Sequence, residues 1–500
     1  MRNHHVNNRP VRRRPALTRL DGMAELHDLT ALELAAAIRD GETSPTDVVR
    51  HALDRAEALG PQVGAFVTLA PERALAEARE AEAVLRAATD TDALPPLLGV
   101  PCPIKDLNAV AGVPMSAGSR ALAGYVPDHD DGIVTLLNQA GTVMLGKTTT
   151  PELGLPCYTE PDGQAPARTP WDLTRSAGGS SGGAAAAVAA RIVPVAQGSD
   201  GGGSIRIPAS ACGLVGLKPS RGRISPGPYA IDGAGLATLG FLTRDVRDTA
   251  ALLDATARPW PGDTFELPPP KIPFLEAARR SPGRLRVGIL TSPVIADDAP
   301  VHPSCLVTVA AVADVLVELG HDVAEAPVPF PAERWDAFRA LWSVMALQAP
   351  VPADREDLLV PLTRWLREQG RAVTGLEHAQ AVASVQVLTR EIARTWAAFD
   401  VIVSPTLAQP PALLGALRDD ADPAGDFAAQ TRFTPWTSVW NLSGRPAISL
   451  PATMNVDDDG TLLPVGVMLG ARYGREDVLL GLARTLEEVF GWQDRRPPVA

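Results

Sequence analysis

Two clusters of serine and glycine carry the residue types that acyl transfer to a hydroxyl requires. The first cluster, residues 178–182, reads GGSSG, and the second, residues 201–204, reads GGGS. A helix of small residues predicted at 182–190 and an apolar strand predicted at 192–196 join them, so neither cluster is a flexible linker. Glycine adopts positive φ and leaves backbone N–H groups uncovered. The pattern therefore predicts that Ser204 presents its hydroxyl where N–H groups converge on a developing oxyanion.

A serine nucleophile needs a base, and the chain has no histidine between residues 130 and 301. Lysine is the next candidate, because a buried lysine can lose its proton whereas arginine cannot. Of 46 basic residues only four are lysines, and three of these, Lys105, Lys147 and Lys218, lie in the predicted core around the serine clusters. A buried ion pair or a capping role is the structural alternative for each of them. The pattern alone does not choose among the three.

Two other motif matches have a weaker physical basis. Residues 141–148, GTVMLGKT, match the phosphate-binding P-loop pattern, but the residues between the glycines are apolar and β-prone, and the predicted helix precedes them. Residues 178–182 also match the nucleophile elbow GxSxG, which requires a histidine further along the chain. Only His302, His321 and His378 remain there, each in an undistinguished setting. We therefore expect neither nucleotide binding nor a serine–histidine hydrolase.

Helix signals are clearest in the N-terminal part of the chain. Ser44 is predicted to cap a helix over 45–60, with proline at its first position and glycine at its end. A second helix is predicted over 71–87. Residues 23–95 are therefore expected to form an N-terminal helical layer.

From residue 96 onward, short apolar runs alternate with helical segments. The runs typical of buried strands are LLGVPCPIKDL, GTVMLGK, RIVPVAQGSD, GLVGLKPS, LRVGILT and HDVAEA, followed by 401–404, 447–450 and 464–469. Helices are predicted between them at 133–140, 182–190, 303–319 and 477–490. Such alternation indicates an α/β fold around a largely buried sheet. The predicted organisation is a core at 96–257, a proline-rich surface crossing at 258–283 and a C-terminal part of the core with the acyl pocket at 284–500.

Composition limits the class of protein. The chain has 500 residues, of which 45% are hydrophobic and 21% charged, with a formal net charge of −12 that argues against nucleic acid as a partner. The chain contains no run of 18 consecutive apolar residues, which a membrane-spanning helix would need. Four widely spaced cysteines without a CxxC motif argue against a disulfide scaffold or structural zinc site and favour the cytoplasm. Residues 1–22, with six arginines, are predicted to be a disordered basic tail or a mis-called start.

The segments around both serine clusters resemble the amidase signature family. They are GVPCPIKDL, LGKTTTPELG, GGSSGG, GSDGGGSIRIPAS, GLKPSRGRIS and NLSGRPAISLP, and the resemblance extends over residues 23–500. It implies a single amidase domain with an α/β fold, in which helices cover both faces of one large mixed β-sheet core. Within the family, LKPSRGRISPGP, PGDTF, LRVGILT and YGREDVLL most resemble a member that opens a cyclic amide.

The resemblance also implies roles for individual residues. The family uses a Ser–Ser–Lys triad, in which Ser204 corresponds to the nucleophile, Ser180 to the bridging serine behind a cis peptide bond, and Lys105 to the base. The backbone N–H groups of the implied oxyanion hole belong to Gly201, Gly202 and Gly203, and the implied loop supports are Asp200, Arg206 and Ser181. No metal and no cofactor is implied.

One position departs from the family pattern. Many members carry threonine or another residue with a side chain where this chain has Gly201. Glycine there either makes the loop more mobile when the site is empty or makes room for a bulkier acyl group, and the sequence leaves both explanations open.

The sequence thus predicts a serine amidohydrolase that cleaves a linear or cyclic carboxamide through an acyl-enzyme. The alternative within the family is a glutamine amidotransferase-type subunit that delivers ammonia within a complex; a catalytically silent binding protein and a metal-dependent hydrolase are further alternatives. The expected partner is a small-molecule amide, with no nucleic acid and no membrane, and a homodimer is left open. The acyl pocket is expected around 157–164, 335–345 and 433–441.

Overall fold

The computed structural model describes residues 25–231, 233–457 and 460–500, so the predicted tail at 1–22 lies outside the described residues. The strands in chain order are β1 (Phe66–Leu69), β2 (Ile104–Lys105), β3 (Gly146–Thr148), β4 (Val195–Asp200), β5 (Val215–Lys218), β6 (Thr238–Thr243), β7 (Arg286–Ile289), β8 (Asp322–Glu325), β9 (Val401–Pro405), β10 (Ala447–Val456) and β11 (Leu462–Ala471). The helices are α1 (Ala31–Arg39), α2 (Pro45–Val63), α3 (Pro71–Ala87), α4 (Gly132–Gln139), α5 (Gly182–Ala189), α6 (Arg206–Cys212), α7 (Val246–Thr256), α8 (Phe274–Ala277), α9 (Pro303–Glu318), α10 (Asp336–Gln348), α11 (Pro361–Ala372), α12 (Gly375–Thr395), α13 (Pro423–Phe433), α14 (Ser438–Ser443) and α15 (Glu476–Phe490).

Most strands belong to one mixed sheet in the order β4-β6-β5-β10-β11-β9-β7-β8. The pairs from β4 through β9 are antiparallel, whereas β7 runs parallel to both β9 and β8. The parallel pair β7–β8 is joined by α9, which is the strand–helix–strand unit that the sequence predicts. This mixed sheet and its flanking helices confirm the α/β prediction.

Helices cover both faces of the large sheet, as the alternation of buried side chains along each strand shows. On β11, Val467 and Leu469 pack in the same cluster as residues of α7, α9 and α15. Met468, between them, packs in another cluster with residues of α10, α12 and α14. Successive side chains of a strand point to opposite faces, so the two groups of helices lie on opposite sides. The sheet is therefore buried on both faces except at the exposed edge strand β8, which explains why most of its strands read as continuous apolar runs.

The N-terminal helices begin where the sequence predicts, and one ends later. The Ser44 side chain accepts a hydrogen bond from the Asp47 N–H, which confirms the predicted cap of α2. The prediction that this helix ends at Gly60 is wrong: α2 continues to Val63, and Gly64, with φ of 61°, ends it in the left-handed conformation. Inside the helix, Gly60 lies next to the ring of Phe66, where a Cβ would make only ordinary van der Waals contacts. The predicted bounds of α3 are confirmed.

Sequence patterns located most strands and missed two, β1 and β6. Strand β6 (Thr238–Thr243), which lies next to the edge strand β4, has the sequence TLGFLT and follows a glycine-rich loop. It pairs with both β4 and β5, so it is central to the part of the sheet that carries the second serine cluster. The proline-rich segment 258–283 is irregular apart from the short helix α8, whose Phe274 is buried. Among the described residues, no helix has both the length and the apolar character needed to cross a bilayer.

A second, three-stranded sheet brings β2 next to the large sheet. Its order is β1-β3-β2, with β2 parallel to β3. The Lys105 backbone N–H on β2 donates to Gln197 Oε1 on β4 at 2.9 Å, and the Gln197 N–H donates to the Pro103 carbonyl at 3.0 Å. Because β4 leads directly into the second serine cluster, these contacts fix Lys105 beside it.

Candidate active site

Lys105 lies at the centre of a buried group of hydroxyls. Its side chain has no exposed surface. The Lys105 Nζ donates to Ser180 Oγ at 2.8 Å, to Ser181 Oγ at 2.9 Å and to Ser199 Oγ at 3.1 Å. The structure thus brings the implied base within hydrogen-bond distance of the implied bridging serine, although the two are 75 positions apart in the chain.

The surroundings of Lys105 favour its neutral form. Burial lowers its pKa from the ordinary value of 10.5 to about 7, and the negative charge of Asp200 only partly opposes this. Removing an ammonium from water without a contacting carboxylate destabilises the charged form, which is the physical cause of the shift. Burial thus favours the neutral amine, which is the form whose lone pair can accept a proton.

The other two lysines that composition left open have different surroundings. The Lys147 Nζ forms a buried ion pair with Asp106 Oδ1 at 2.9 Å and donates to the Asn108 carbonyl. Lys218 is also buried and has a pKa lowered to about 7 by burial, but its Nζ donates to the carbonyl of Pro219. Only Lys105 among the three has hydrogen bonds to the serine clusters in the described part of the chain. Geometry therefore selects the lysine that composition could not.

The first serine cluster forms the turn that enters α5. The Gly179–Ser180 peptide bond is cis. A Cβ at Gly179 would lie 2.8 Å from the backbone of Tyr158, so only glycine fits against this neighbouring loop. The Thr150 hydroxyl donates to the Ser180 carbonyl at 3.0 Å, and Ser181 precedes the first residue of α5. Both serine side chains are thereby held toward Lys105.

Ser204 lies between the end of β4 and the start of α6 and lines a cavity together with Gly202. The residue is 7% exposed, so it is largely shielded from solvent while it still lines the cavity. The two serine clusters are adjacent, because the Ser181 N–H donates to the Ser204 carbonyl at 3.1 Å. Within the described residues there is a hydrogen bond from Lys105 to Ser180 and none between the hydroxyls of Ser180 and Ser204.

Asp200 and Arg206 form a buried ion pair that spans the glycine loop. Arg206 Nε and Nη2 donate to the two Asp200 oxygens at 2.9 Å and 2.8 Å, and both side chains have no exposed surface. Although burial raises the pKa of Asp200, the charge and hydrogen bonds of Arg206 lower it to about 2. The Ile205 N–H also donates to Asp200. The ion pair therefore joins the two ends of the loop that contains Gly201, Gly202 and Gly203.

Aromatic side chains form the wall of the cavity next to Ser204. The rings of Trp335 and Phe338 stack at a centroid distance of 5.1 Å, those of Phe338 and Trp342 at 5.2 Å, and those of Trp335 and Phe427 at 6.0 Å. Ile207, Ile295 and Leu155 add apolar surface. A cavity of this kind suits an apolar ligand group.

The predicted pocket segments contribute unequally to this cavity. Residues 335–345 and 433–441 both line it, whereas 157–164 contributes only Cys157. Helix α13, which was not predicted, places Phe427, Gln430 and Thr431 on the wall. Gln430 also accepts the Cys157 N–H at 2.8 Å, so α13 holds the loop opposite. No local sequence pattern marks α13 as part of a pocket, because its position depends on contacts with distant segments.

Gly201 lies directly against the ring of Trp342. A Cβ at this position would lie 3.1 Å and 3.2 Å from two ring carbons of Trp342, closer than side chains normally approach. The space that a threonine side chain would need is thus occupied by the indole. Glycine at this position therefore lets the indole of Trp342 pack directly against the loop.

Two further side chains on β4 were missed by sequence reasoning. Gln197 and Ser199 are two residues apart and so point to the same side of the strand. Gln197 holds the Lys105 backbone, and Ser199 contacts the Lys105 amine. Side chains alternate between the two faces of a strand, so the sequence QGSD places Gln197 and Ser199 on one face. This pattern, just before the glycine loop, could have indicated both residues.

The P-loop match at 141–148 and the histidines that a nucleophile elbow would need have other structural roles. Residues 146–148 of the apparent P-loop form strand β3, which follows α4 instead of leading into a helix. His302 caps α9 by accepting the Ser304 N–H, and His321 accepts the Leu285 N–H. No histidine among residues 25–500 that the structure describes lines the cavity next to Ser204.

Comparisons with known proteins show which family the chain resembles. The family model described as Amidase matches residues 47–480. The 6-aminohexanoate-cyclic-dimer hydrolase of Paenarthrobacter ureafaciens is 38% identical over 488 residues, which cover 93% of this chain and 95% of that protein. A solved structure of 6-aminohexanoate cyclic dimer hydrolase has a TM-score of 0.85 at 35% identity and covers 95% of this chain and 100% of its own. A bacterial aryl acylamidase of the amidase signature family has a TM-score of 0.79 at 27% identity, covering 93% and 97%.

Proposed function

The chain belongs to the amidase family, and from this premise we propose that it cleaves amides through an acyl-enzyme formed on Ser204. The protein is an amidase, a hydrolase of carbon–nitrogen bonds other than peptide bonds. The observation that carries the proposal is the buried Lys105 amine, with a pKa of about 7, in hydrogen-bond contact with Ser180. A neutral amine in this position can start a proton relay that no histidine supplies.

The relay begins at Lys105. A neutral amine has one lone pair and two N–H groups, so it can accept a proton from Ser180 while donating to Ser181 and Ser199. Ser180 in turn takes the proton of Ser204 as the Ser204 oxygen bonds to the amide carbonyl carbon. The hydrogen bond from Ser204 to Ser180 is expected to form when substrate closes the site, since catalytic hydrogen bonds often tighten only in the complex.

Collapse of the tetrahedral intermediate breaks the carbon–nitrogen bond. The proton held by Lys105 returns through Ser180 to the departing nitrogen, which leaves as a neutral amine. Water then attacks the acyl-enzyme and loses its proton along the same path, so that the acid is released and Ser204 is regenerated. The backbone N–H groups of Gly201, Gly202 and Gly203 are proposed to bind the oxyanion in both steps.

The cavity indicates the substrate class. Its aromatic wall favours an uncharged acyl chain over the charged acyl portion of glutamine, which a glutamine amidotransferase-type subunit would bind. The similarity to 6-aminohexanoate-cyclic-dimer hydrolases adds cyclic amides of aliphatic amino acids to the candidates. We therefore propose an amide with an aliphatic acyl chain, linear or cyclic, as the substrate.

A panel assay tests this function. The protein is incubated with linear aliphatic amides, an aryl amide, a cyclic diamide and glutamine, and the released acid is measured with and without a chelator. A fluorophosphonate is then added, and the modified peptide is identified by mass spectrometry. We expect hydrolysis of an aliphatic amide, no effect of the chelator and a single adduct on Ser204. Hydrolysis of glutamine alone would support the amidotransferase alternative instead.

The state of the four cysteines indicates the cellular compartment in which the protein is located. All four are buried and unpaired, and burial raises the pKa of Cys102, Cys212 and Cys305 to about 12. Thiols held in the protonated form resist oxidation and disulfide exchange. Unpaired cysteines are typical of reducing compartments, so the cytoplasm is the proposed location.

The contact between Gly201 and Trp342 leads to a prediction about specificity. Gly201→Thr is expected to lower kcat/KM about 10-fold or more, because the new side chain must displace the indole toward the cavity. In a Trp342→Leu background, the same substitution should cost less than about threefold, since the ring is gone. Trp342→Leu alone should shift preference toward longer acyl chains. The measurement is kcat/KM for amides of increasing chain length in all four proteins.

Equal costs of Gly201→Thr in both backgrounds would contradict this prediction. They would mean that glycine is needed for the conformation of the loop rather than for its contact with Trp342. Thermal unfolding of each variant distinguishes a local change in the cavity from a general loss of stability.

A further inference from the structure

Helix α14 is attached to the glycine loop by two side chains that bond to the loop carbonyls. Thr437, the residue before α14, donates from Oγ1 to the Gly202 carbonyl at 2.7 Å. Asn441 donates from Nδ2 to the Asp200 carbonyl at 2.9 Å. The two side chains are four residues apart and therefore neighbours on one face of the helical turn. Together they bind the carbonyls of Asp200 and Gly202, which are two residues apart in the chain.

Holding a carbonyl also fixes an N–H group. A peptide unit is planar, and in the trans form its C=O and N–H point in opposite directions. The units Asp200–Gly201 and Gly202–Gly203 are trans. The bond from Asn441 therefore fixes the direction of the Gly201 N–H, and the bond from Thr437 fixes that of the Gly203 N–H. These are two of the three N–H groups proposed for the oxyanion hole.

The loop needs such restraint because of its composition. Three consecutive glycines have the widest conformational freedom of any tripeptide, so their peptide planes could otherwise rotate. Gly203 has φ of 139°, and a Cβ there would lie 2.7 Å from Thr437 Oγ1. The close approach of Thr437 thus depends on glycine, and the orientation of the glycine loop depends on Thr437.

Arg206 connects the same groups from the other side. Its Nη1 donates to the Thr437 carbonyl at 2.8 Å, and its Nη2 donates to Asn441 Oδ1 at 2.8 Å. Arg206 also forms the buried ion pair with Asp200. The start of α14 is therefore fixed relative to α6 and to the end of β4, which makes Thr437 a rigid anchor rather than a mobile contact.

We propose that Thr437 is a positioning residue, which, together with Asn441, holds the loop N–H groups in the direction that stabilises the oxyanion. This inference rests on the proposed function. An N–H group that is held in place contributes to the transition state, where negative charge develops, more than to substrate binding. Loss of the Thr437 hydroxyl should therefore lower kcat and leave KM nearly unchanged.

The test compares Thr437→Val, which has nearly the same shape without the hydroxyl, with Thr437→Ser, which keeps it. We expect Thr437→Val to lower kcat by about 10- to 100-fold with KM within about twofold, and Thr437→Ser to keep about a third of kcat or more. A substrate-like trifluoromethyl ketone, whose adduct with serine carries an oxyanion, should bind more weakly to Thr437→Val by the same factor as the loss of kcat/KM.

Ser443→Ala is the matched control, because the Ser443 hydroxyl lies on the same helix and donates to the Val439 carbonyl, away from the loop. It should keep kcat within about twofold of wild type. Equal losses in Thr437→Val and Thr437→Ser, an effect on KM alone, or unchanged ketone binding would overturn the inference. If the wild-type protein hydrolyses no amide on the panel, the proposed function is wrong and the inference with it. If the wild type is active and Thr437→Val matches it, only the inference is wrong.

Discussion

Lys105→Ala is expected to lower kcat/KM for an amide by about 100-fold or more, the range typical of losing a general base. The physical reason is that the variant retains the serines but has no group that can take the proton from Ser180. Steady-state hydrolysis of the best amide on the panel measures the effect. A variant that keeps more than about one hundredth of the wild-type rate would remove Lys105 from the role of base.

Arginine at the same position separates charge from basicity. Lys105→Arg keeps a positive charge but cannot lose its proton at any working pH, so it should be as inactive as the alanine variant. Lys218→Met is the matched control, because Lys218 is equally buried and has the same lowered pKa of about 7 but does not contact the serines. Its activity should stay within about threefold of wild type. Loss of activity in all three would indicate a general effect of removing a buried amine.

The pH dependence of the wild-type protein follows from the same amine. Below its pKa of about 7, Lys105 is protonated and cannot accept the proton of Ser180; above it, the amine is neutral and active. We therefore expect kcat/KM to fall about tenfold for each pH unit below 7 and to level off above it. A plateau that extends unchanged to pH 5 would contradict a lysine base in the free protein.

How much the sequence predicts depends on how local each signal is. The start of α2 at Pro45 and the whole of α3 follow from caps and apolar periodicity within one turn of helix. The same reasoning ended α2 too early at Gly60, because a glycine often ends a helix, whereas this chain takes the left-handed conformation only at Gly64. Strand β6 was missed because its short run lies after a glycine-rich loop and has weak alternation.

The candidate site shows the same dependence. Local patterns indicated both serine clusters and the need for a lysine, and motif similarity then singled out Lys105. Burial of each lysine and its partners are properties of the folded chain, so composition could not separate Lys105 from Lys218. Thr437 was missed for the same reason, since its bond to the Gly202 carbonyl joins segments 235 positions apart. A residue that binds the backbone of a distant segment has no local sequence motif that would reveal its role.

Ser204→Ala is expected to abolish turnover. Its kcat should be lower than that of the wild type by about 10⁴-fold or more, which is the size of loss typical of removing a catalytic serine. The alanine variant has no oxygen that could form the acyl-enzyme, while the proposed oxyanion hole and the cavity are unchanged. Mass spectrometry after fluorophosphonate treatment measures the covalent step directly: the wild type should gain one adduct, and the variant should gain none. Its thermal unfolding midpoint should match that of the wild type.

Ser180→Ala distinguishes the nucleophile from the relay, because Ser180 also belongs to the apparent nucleophile elbow at 178–182. If Ser180 only passes the proton, its alanine variant is labelled more slowly but still on Ser204, and its kcat is low. If Ser180 were the nucleophile, labelling would vanish in Ser180→Ala and persist in Ser204→Ala. The contact of Lys105 with Ser180, and the exposure of Ser204 to the cavity, favour the first outcome. The residue that carries the adduct therefore decides the order of the triad.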